Sequence, residues 1–251
     1  MLSYWEKTSL LNYDVIVVGS GIVGLSTALS IKEKSPGQRV LVLERSILPT
    51  GASTKNAGFA CIGSLTEILD DLTHMSAQEV LSLVELRLKG LHRLRKRLGD
   101  DNIAYAEEGS YELINEQEEG CLARMEEVNN LLQPILNTKA FSLCNQKIKD
   151  FGFEPNYTQH LVSNNAEGQL DTGKMMRVLI DRCLQAAIEI KTGCEVERIE
   201  ETEKFVQVVV KHAQLNQQIT FCAPRLAVCT NAFTGKLYPE LDIQPGRGQV
   251  L

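Results

Sequence analysis

The chain has 251 residues, of which 43% are hydrophobic and 23% are charged, and its formal net charge is −6. These fractions lie near the averages of globular proteins, which argues against a largely disordered chain. The acidic balance argues against a nucleic-acid partner, because no basic surplus is present to neutralise phosphates. No apolar run approaches the roughly 18 residues that a membrane helix needs, and the first residues lack the pattern of a signal peptide. We therefore predict a soluble, cytoplasmic protein with no integral membrane segment.

The cysteines and histidines carry no pattern of a disulfide framework or a metal site. The seven cysteines form no C-x-x-C pair and are odd in number, which is typical of reduced thiols in a cytosolic protein. The four histidines are isolated and lack metal-ligand spacing. We predict no metal centre and no serine or cysteine nucleophile.

The first part of the chain predicts a strand–turn–helix–strand unit. Residues 14–18 (DVIVV) and 39–44 (RVLVLE) are apolar, β-branched runs that predict buried strands. Between them, residues 25–34 have apolar side chains at helical spacing, and Ser35-Pro-Gly37 stops the helix. Such a β-α-β crossover places the two strands side by side in a parallel sheet.

The remaining segments predict a mixed architecture. We expect a helical region at 65–98, a hairpin at 103–114 turning at Glu108-Gly109, and a helix at 116–132. A further helix is expected within 168–190, with Met175, Leu179, Cys183 and Ala187 on one face. The last elements are a meander of strands at 195–200, 205–210 and 218–221 and a buried strand at 225–229. This order predicts an α/β nucleotide-binding domain that is interrupted by a mixed α+β insertion near residues 85–165.

The turn after the first strand has the G-x-G-x-x-G pattern. Gly19 permits a tight turn, Gly21 permits close approach of a pyrophosphate, and Gly24 permits close packing of helix on strand. The pyrophosphate would lie at the positive end of the helix dipole. Glu44 follows at the end of the second strand, where it would hold ribose hydroxyls. The sequence therefore predicts a Rossmann-type dinucleotide site.

The glycine pattern alone leaves both FAD and NAD open. Residues 50–60 (TGASTKNAGFA) supply small side chains, hydroxyls and an amide where an extended dinucleotide would continue. NAD-binding folds of this type normally pass from the second strand to another helix and strand. This segment favours FAD, although it could also be a polar turn with a helix cap.

At these residues the chain resembles the D-amino-acid oxidase-like family of FAD-dependent oxidoreductases, which includes glycine, sarcosine and γ-glutamylputrescine oxidases. The resemblance rests on five pieces in order: residues 14–24 with Glu44-Arg45, 51–58 (GASTKNAG), 167–171 (EGQLD), 193–199 (GCEVERI), and 226–231 (LAVCTN) leading to 245–249 (PGRGQ). It implies a Rossmann-type FAD-binding domain of the GR2-like flavoproteins at 1–84 and 166–232. It also implies a substrate domain at 85–165, resumed at 233–251.

The resemblance further implies which residues hold the cofactor FAD. The stretch around residues 53–60 would lie along the pyrophosphate, ribityl chain and ring, and the backbone of Val196 would meet the adenine. Lys55 could place a positive charge near the ring, or it could be a solvated loop lysine. The implied FAD-binding residues are Gly19, Gly21, Ile22, Val23, Gly24, Glu44, Arg45, Ser53, Thr54, Lys55, Asn56, Ala57, Gly58, Phe59, Ala60, Val196, Thr230 and Asn231.

The implied reaction is oxidation of the C–N bond of a small amine or amino acid, by hydride transfer to the flavin. Two alternatives stay open: an NAD(P)-dependent dehydrogenase, and a truncated or non-catalytic flavin-binding protein. Family members extend further than this chain, and their carboxylate-binding arginine and oxygen-activating lysine lie mostly in that further part. We therefore expect the 251 residues alone not to be a competent oxidase. The oligomeric state, the electron acceptor and the mode of flavin attachment stay open.

Overall fold

The computed structural model describes residues 3–154, 157–212, 217–246 and 248. The α-helices are α1 (Tyr4–Leu10), α2 (Ile22–Lys34), α3 (Ala52–Lys55), α4 (Leu65–His74), α5 (Ala77–Leu98), α6 (Asp100–Ile103), α7 (Met125–Leu136), α8 (Gln146–Asp150) and α9 (Thr172–Gln185). Two 3-10 helices span Glu119–Arg124 and Asn231–Lys236. The strands are β1 (Val15–Val18), β2 (Val40–Leu43), β3 (Phe59–Ala60), β4 (Ser110–Ile114), β5 (Phe141–Leu143), β6 (His160–Asn164), β7 (Gly168–Gln169), β8 (Glu189–Lys191), β9 (Glu195–Glu201), β10 (Val206–His212), β11 (Gln217–Ala223) and β12 (Arg225–Val228).

The chain divides into two compact units. The first contains residues 1–57 and 172–251, and the second contains residues 58–171. The sequence assigns residues 1–84 and 166–232 to the FAD-binding domain and residues 85–165 and 233–251 to the substrate domain. This assignment of cofactor and substrate to parts of the chain stays a prediction. Within the described ranges, no helix combines the length and the apolar character needed to cross a bilayer.

The first unit is built on a parallel sheet with the strand order β12-β1-β2-β8. All four residues of both β1 and β2 are buried, as expected for central strands of a sheet that is covered on both faces. Helix α2 connects these two parallel strands and packs against α9. The antiparallel sheet β11-β10-β9 belongs to the same unit, and its Val208, Val210 and Phe221 share a core with Ile16 and Leu41. The predicted mixed α/β fold with a parallel sheet is therefore confirmed.

The second unit packs helices against the antiparallel sheet β4-β6-β5. Its core takes Ile68 from α4, Val84 from α5, Leu132 from α7 and Phe141 from β5, each at most 1% exposed. The short strands β3 and β7 form a separate antiparallel pair. The unit is thus an α+β layer, the class that the sequence predicts for the inserted segment.

Several predicted elements differ in detail from the structure. The predicted hairpin at 103–114 is wrong, because β4 pairs with β6 while Ala106 bridges Gln169. The helical region at 65–98 is broken into α4 and α5 at Met75 and Ser76, and Ser76 caps α5. The helix expected at 116–132 is a 3-10 helix followed by α7.

The helix predicted within 168–190 is shorter than its pattern suggested. Met175, Leu179 and Cys183 are buried on α9 as predicted. Ala187 lies past the helix end in the left-handed region, at φ 55°. The predicted strands at residues 14–18 and 39–44 and the meander β9-β10-β11 are confirmed.

Candidate dinucleotide-binding site

The turn between β1 and α2 needs glycine at two positions for steric reasons. Gly19 has φ +104°, and a Cβ there would lie 2.5 Å from the carbonyl oxygen of Cys229. A Cβ on Gly24 would lie 1.9 Å from the carbonyl oxygen of Gly19. The first turn of α2 therefore contacts the end of β1 directly, and this contact fixes where the helix begins.

The N-terminus of α2 faces the segment that follows β2. Gly21 is the N-cap and has no side chain to accept a hydrogen bond, but the backbone N–H of Ile22 donates to Ser53 Oγ at 2.9 Å. A Cβ on Gly21 would meet the same Oγ at 2.9 Å. The N–H groups of a first helical turn have no acceptor within the helix, and the dipole adds partial positive charge. This end of α2 suits an anionic group such as a pyrophosphate.

Glu44 lies at the end of β2 and is only 8% exposed. Its Oε2 accepts hydrogen bonds from the backbone N–H of Ser20 at 3.1 Å and the Ser20 hydroxyl at 2.6 Å. Its Oε1 accepts one from the backbone N–H of Ser46 at 2.9 Å. A carboxylate has about four lone-pair positions, so Oε1 can still accept a hydroxyl group. The acid thus ties the glycine turn to β2 and keeps one acceptor free.

These residues line a cavity of about 630 Å³ within the first unit, a size within the roughly 300–1,000 Å³ of small-molecule sites. Ten of the predicted FAD-binding residues line this cavity: Gly19, Gly21, Ile22, Val23, Glu44, Arg45, Ser53, Val196, Thr230 and Asn231. Its charged lining groups are Glu44, Arg45, Glu195 and Lys236. The structure therefore brings together residues from the glycine turn, the end of β2 with the segment that follows it, the start of β9 and the segment after β12.

Other predicted residues of the first unit have roles beside the cavity. Gly24 lies beneath the turn, against Gly19. The hydroxyl of Thr54 donates to the Pro49 and Gly51 carbonyls, and the side chain of Asn56 donates to the carbonyls of α3. Lys55 and Ala57 are exposed. Thr54 and Asn56 therefore hold the loop that carries Ser53, and none of these five residues lines the cavity.

Gly58, Phe59 and Ala60 belong to the second unit. There β3 pairs with β7, and the Gly58 carbonyl accepts a hydrogen bond from Leu170 N–H at 2.9 Å. Phe59 is 67% exposed and Ala60 is buried. Their proposed contact with the flavin stays a prediction.

The backbone that follows β3 is held by two acidic side chains that sequence reasoning missed. Glu167, 4% exposed, accepts hydrogen bonds from the N–H groups of Ile62 at 2.7 Å and Gly63 at 3.1 Å. Glu112 accepts them from the N–H groups of Leu65 and Thr66 at the start of α4. The partners are separated by about 45 to 105 positions in sequence, so no local pattern shows these contacts.

The other missed residues lie in the 3-10 helix after β12. Phe233 lines the cavity, and the guanidinium of Arg45 stands 3.7 Å from the centroid of its ring. Lys236 lies 5.6 Å from the same centroid. The sequence around Asn231 indicated a binding segment, but not which aromatic residue would face Arg45.

The parallel sheet and the glycine turn are typical of dinucleotide-binding folds, and comparison with known proteins specifies the family. The family model of the FAD dependent oxidoreductases known as DAO matches residues 14–251. The chain therefore belongs to the DAO family of FAD dependent oxidoreductases, and the predicted family is confirmed. No curated protein matches the chain significantly.

Solved structures with the same fold include several enzymes that act on amino acids. Glycine oxidase from Geobacillus kaustophilus is 21% identical with a TM-score of 0.68, and the alignment covers 91% of this chain and 58% of that one. NikD, an amino acid oxidase essential for nikkomycin biosynthesis, is 20% identical with a TM-score of 0.65, covering 92% and 54%. L-amino acid deaminase from Proteus vulgaris is 16% identical with a TM-score of 0.65, covering 89% and 48%. The chain thus spans about half the length of these structures.

Proposed function

We propose that the cavity of the first unit binds FAD, and that the protein oxidises the C–N bond of a small amine or amino acid. The observation that carries the proposal is the arrangement of Glu44 beside the glycine turn. A buried carboxylate with a free acceptor position lies at the end of β2, and the N-terminus of α2, whose N-cap Gly21 has no side chain, lines the same cavity. This pairing suits a ribose hydroxyl and the pyrophosphate attached to it.

The chemistry of the lining residues supports binding of the nucleotide half of FAD. A Cβ on Gly19 or Gly24 would collide with backbone, so glycine at these two positions lets α2 begin directly at the end of β1. The N-terminus of α2 would hold the pyrophosphate, Glu44 the ribose hydroxyls, and Ser53 would stay beside the first helical N–H group. Bound FAD would supply the electron acceptor for hydride removal from the carbon that bears the nitrogen.

The chain's own contribution is to bind and orient the cofactor. Ser20 and Ser46 hold the Glu44 carboxylate in one orientation, so ordering it on binding costs little conformational entropy. Small side chains at Gly51 and Ala52 line the cavity and leave room for a ligand backbone to pass. The cytoplasmic location and the small-molecule substrate stay predictions.

An NAD(P)-dependent dehydrogenase is the main competing function. Arg45 follows the acid and could pair with a ribose 2′-phosphate. However, the buried Glu44 carboxylate next to it would repel that phosphate, which disfavours NADP. A flavin-binding protein without catalysis is the second alternative. Only an assay of the reaction distinguishes this alternative from the proposed function.

The test is an anaerobic reduction of the flavin-loaded natural gene product that contains these 251 residues, because we do not expect the 251 residues alone to be a competent oxidase. A panel of amines and amino acids is mixed with the protein while the absorbance of oxidised flavin is recorded. The matched controls are 2-hydroxy acids with the same side chains, for example lactate against alanine. We expect bleaching by at least one C–N compound and none by its C–O counterpart. If no amine or amino acid in the panel reduces the bound flavin, the protein binds flavin but lacks the proposed activity.

A further inference from the structure

The side-chain amide of Asn145, at the start of α8 in the second unit, has one orientation that satisfies its neighbours. Its Oδ1 accepts a hydrogen bond from the backbone N–H of Leu161 at 2.9 Å. A backbone N–H only donates, so the oxygen of the amide must face Leu161 and the NH2 group must face the other way. The nitrogen of that group lies 2.9 Å from Nδ1 of His160. Because an amide nitrogen only donates, Nδ1 of His160 must accept this hydrogen bond.

This contact determines which ring nitrogen of His160 carries the hydrogen. With Nδ1 as an acceptor, the neutral imidazole has its hydrogen on Nε2. Nε2 lies 3.2 Å from Oε1 of Glu119, in the 3-10 helix that precedes α7, and donates to this carboxylate. The His160 side chain is 24% exposed, so water competes only partly for these two bonds. The neutral ring thus joins the start of α8 to the 3-10 helix.

Protonation of the ring is incompatible with the contact to Asn145. The second proton can bind only at Nδ1, where it would face the NH2 group of the amide across 2.9 Å. Two donors in this position repel each other, so one of them must turn away. A half-turn of the amide is no solution, because its NH2 group would then face the N–H of Leu161. The charged ring keeps Glu119 as its partner and forms an ion pair with it.

Other ionisable groups surround His160, on the elements that pack against β6. They are Tyr111 and Glu112 of β4, Cys144 after β5, and Lys147, Lys149 and Asp150 of α8. Glu112 is bound to the first N–H groups of α4, and Lys147 donates to the Tyr111 hydroxyl. Within the described part of the second unit, the carboxylate that contacts the ring is that of Glu119.

Helix α8 depends on few tertiary contacts. It has five residues, far fewer than an isolated helix needs in water. Its Ile148 packs with Cys144 and Leu161 in a cluster of three buried residues. The ring of Phe151, directly after α8, lies 5.0 Å from the ring of Tyr111. Loss of a hydrogen bond at the N-cap should therefore raise the population in which α8 is open.

We propose that His160 is a proton-operated latch for α8. While neutral, the ring holds Asn145 and with it the start of the helix; once protonated, it releases Asn145 and binds Glu119 alone. Histidine is the side chain whose charge ordinarily changes between pH 5 and 8, so the latch opens as the pH falls through this range. All of its parts lie in the second unit, and it does not depend on the proposed cofactor.

The test compares the opening of α8 at pH 8 and pH 5 in the whole natural chain. The probes are the backbone N–H groups of Phe151 and Gly152, which donate to the carbonyls of Lys147 and Lys149 at 2.9 and 3.1 Å. Their hydrogen exchange is corrected for the pH dependence of the intrinsic rate. From pH 8 to pH 5 the protection factor of the wild type should fall about fivefold, which corresponds to one hydrogen bond of about 1 kcal/mol.

Three variants distinguish the latch from a general effect of acid. His160→Gln cannot take up the proton, so its protection factor should be the same at both pH values. Asn145→Asp still accepts the N–H of Leu161 and offers a carboxylate to the charged ring, so protection at pH 5 should equal or exceed that at pH 8. His74→Gln is the matched control, because His74 is an exposed histidine of the same unit, and it should behave as the wild type.

Two results would overturn the latch. One is a protection factor of the wild type that does not fall at pH 5, and the other is an equally large fall in His160→Gln. Nitrogen NMR of the wild-type ring adds a test that needs no variant. At pH 8 the neutral ring of His160 should carry its hydrogen on Nε2, and a hydrogen on Nδ1 would refute the arrangement with Asn145.

Discussion

The carboxylate of Glu44 accepts hydrogen bonds from both the backbone N–H and the hydroxyl of Ser20, at 3.1 and 2.6 Å. One acid therefore has two tasks in this account: Oε2 holds the glycine turn, and Oε1, which accepts a hydrogen bond from Ser46 N–H, would also accept one from a ribose hydroxyl. Because these tasks use different oxygens, they can be separated by substitution.

Glu44→Gln and Ser20→Ala should have different effects. Glu44→Gln removes the charge that strengthens a bond to a ribose hydroxyl, and FAD affinity should fall roughly 10- to 100-fold. Ser20→Ala removes the hydroxyl donor to the charged Oε2, so the free energy of unfolding should fall by about 1.5–3 kcal/mol while FAD affinity changes little. Denaturant unfolding and FAD titration of both variants check this. The same affinity for FAD in wild type and Glu44→Gln would refute the ribose contact.

Gly24→Ala should destabilise the first unit. The new Cβ would lie 1.9 Å from the carbonyl oxygen of Gly19, and that atom is backbone that cannot move aside cheaply. Forced overpacking of this kind costs about 1–3 kcal/mol, or more. Gly37→Ala is the control, because no atom lies within 4 Å of a Cβ there. Thermal unfolding should show a clearly lower melting temperature for Gly24→Ala and almost no change for Gly37→Ala. Similar melting temperatures of the two variants would contradict the close contact between Gly24 and Gly19.

The cavity thiols should be slow to react, and FAD should protect them. Burial raises the pKa of the Cys229 thiol, partly offset by a hydrogen bond with Thr27, and burial likewise raises the pKa of Cys194. The reactive thiolate therefore forms only as pH rises through this elevated pKa, so alkylation at pH 7 should be slower than for a free cysteine and should accelerate with pH.

The cavity location of these thiols can be tested by the same reaction. Cys229 and Cys194 line the cavity, whereas Cys121, whose pKa is also raised by burial, belongs to the second unit. Mass spectrometry after alkylation with and without FAD should show protection of Cys229 and Cys194 and no change at Cys121. Equal labelling of all three in both conditions would argue against FAD occupying this cavity.

Glu167→Gln should destabilise the second unit without altering the first. The substitution weakens bonds to the N–H groups of Ile62 and Gly63, and hydrogen bonds to a charged group contribute about 1.5–3 kcal/mol each. The exposed Glu116 supplies the control Glu116→Gln. Hydrogen exchange should show faster exchange at residues 62–63 in Glu167→Gln alone. Unchanged exchange there would show that the carboxylate does not hold this segment.

The sequence predicted the elements whose signal is local. The β-branched runs of β1 and β2, the glycine turn and the strand meander each carry their pattern within about ten residues. The hairpin at 103–114 failed because β4 pairs with β6 about 50 residues later. Gly109, with φ +74°, donates its backbone N–H to the Glu167 carbonyl at 3.0 Å instead of closing a local turn. Strand pairing across such a distance depends on tertiary packing, which no local alternation of side chains encodes.

The same limit applies to the site. Gly19, Gly24 and Glu44 could be predicted because their spacing follows from the β-α-β geometry. The stacking of Arg45 on Phe233 joins residues that are far apart in the chain, and the contacts of Glu167 join segments about 105 positions apart. Each depends on how the strands are ordered in the sheet, so each became visible only in the folded structure.

The most direct test of the proposed site is the identity of the nucleotide that the purified protein binds. The cofactor is released by denaturation and compared by chromatography with FAD, FMN and NAD, and the protein stripped of cofactor is then titrated with FAD and with NADH. We predict a yellow protein that releases FAD, with FAD binding that is weakened by Glu44→Gln. A colourless protein that binds NADH tightly and takes up no FAD would contradict the proposal.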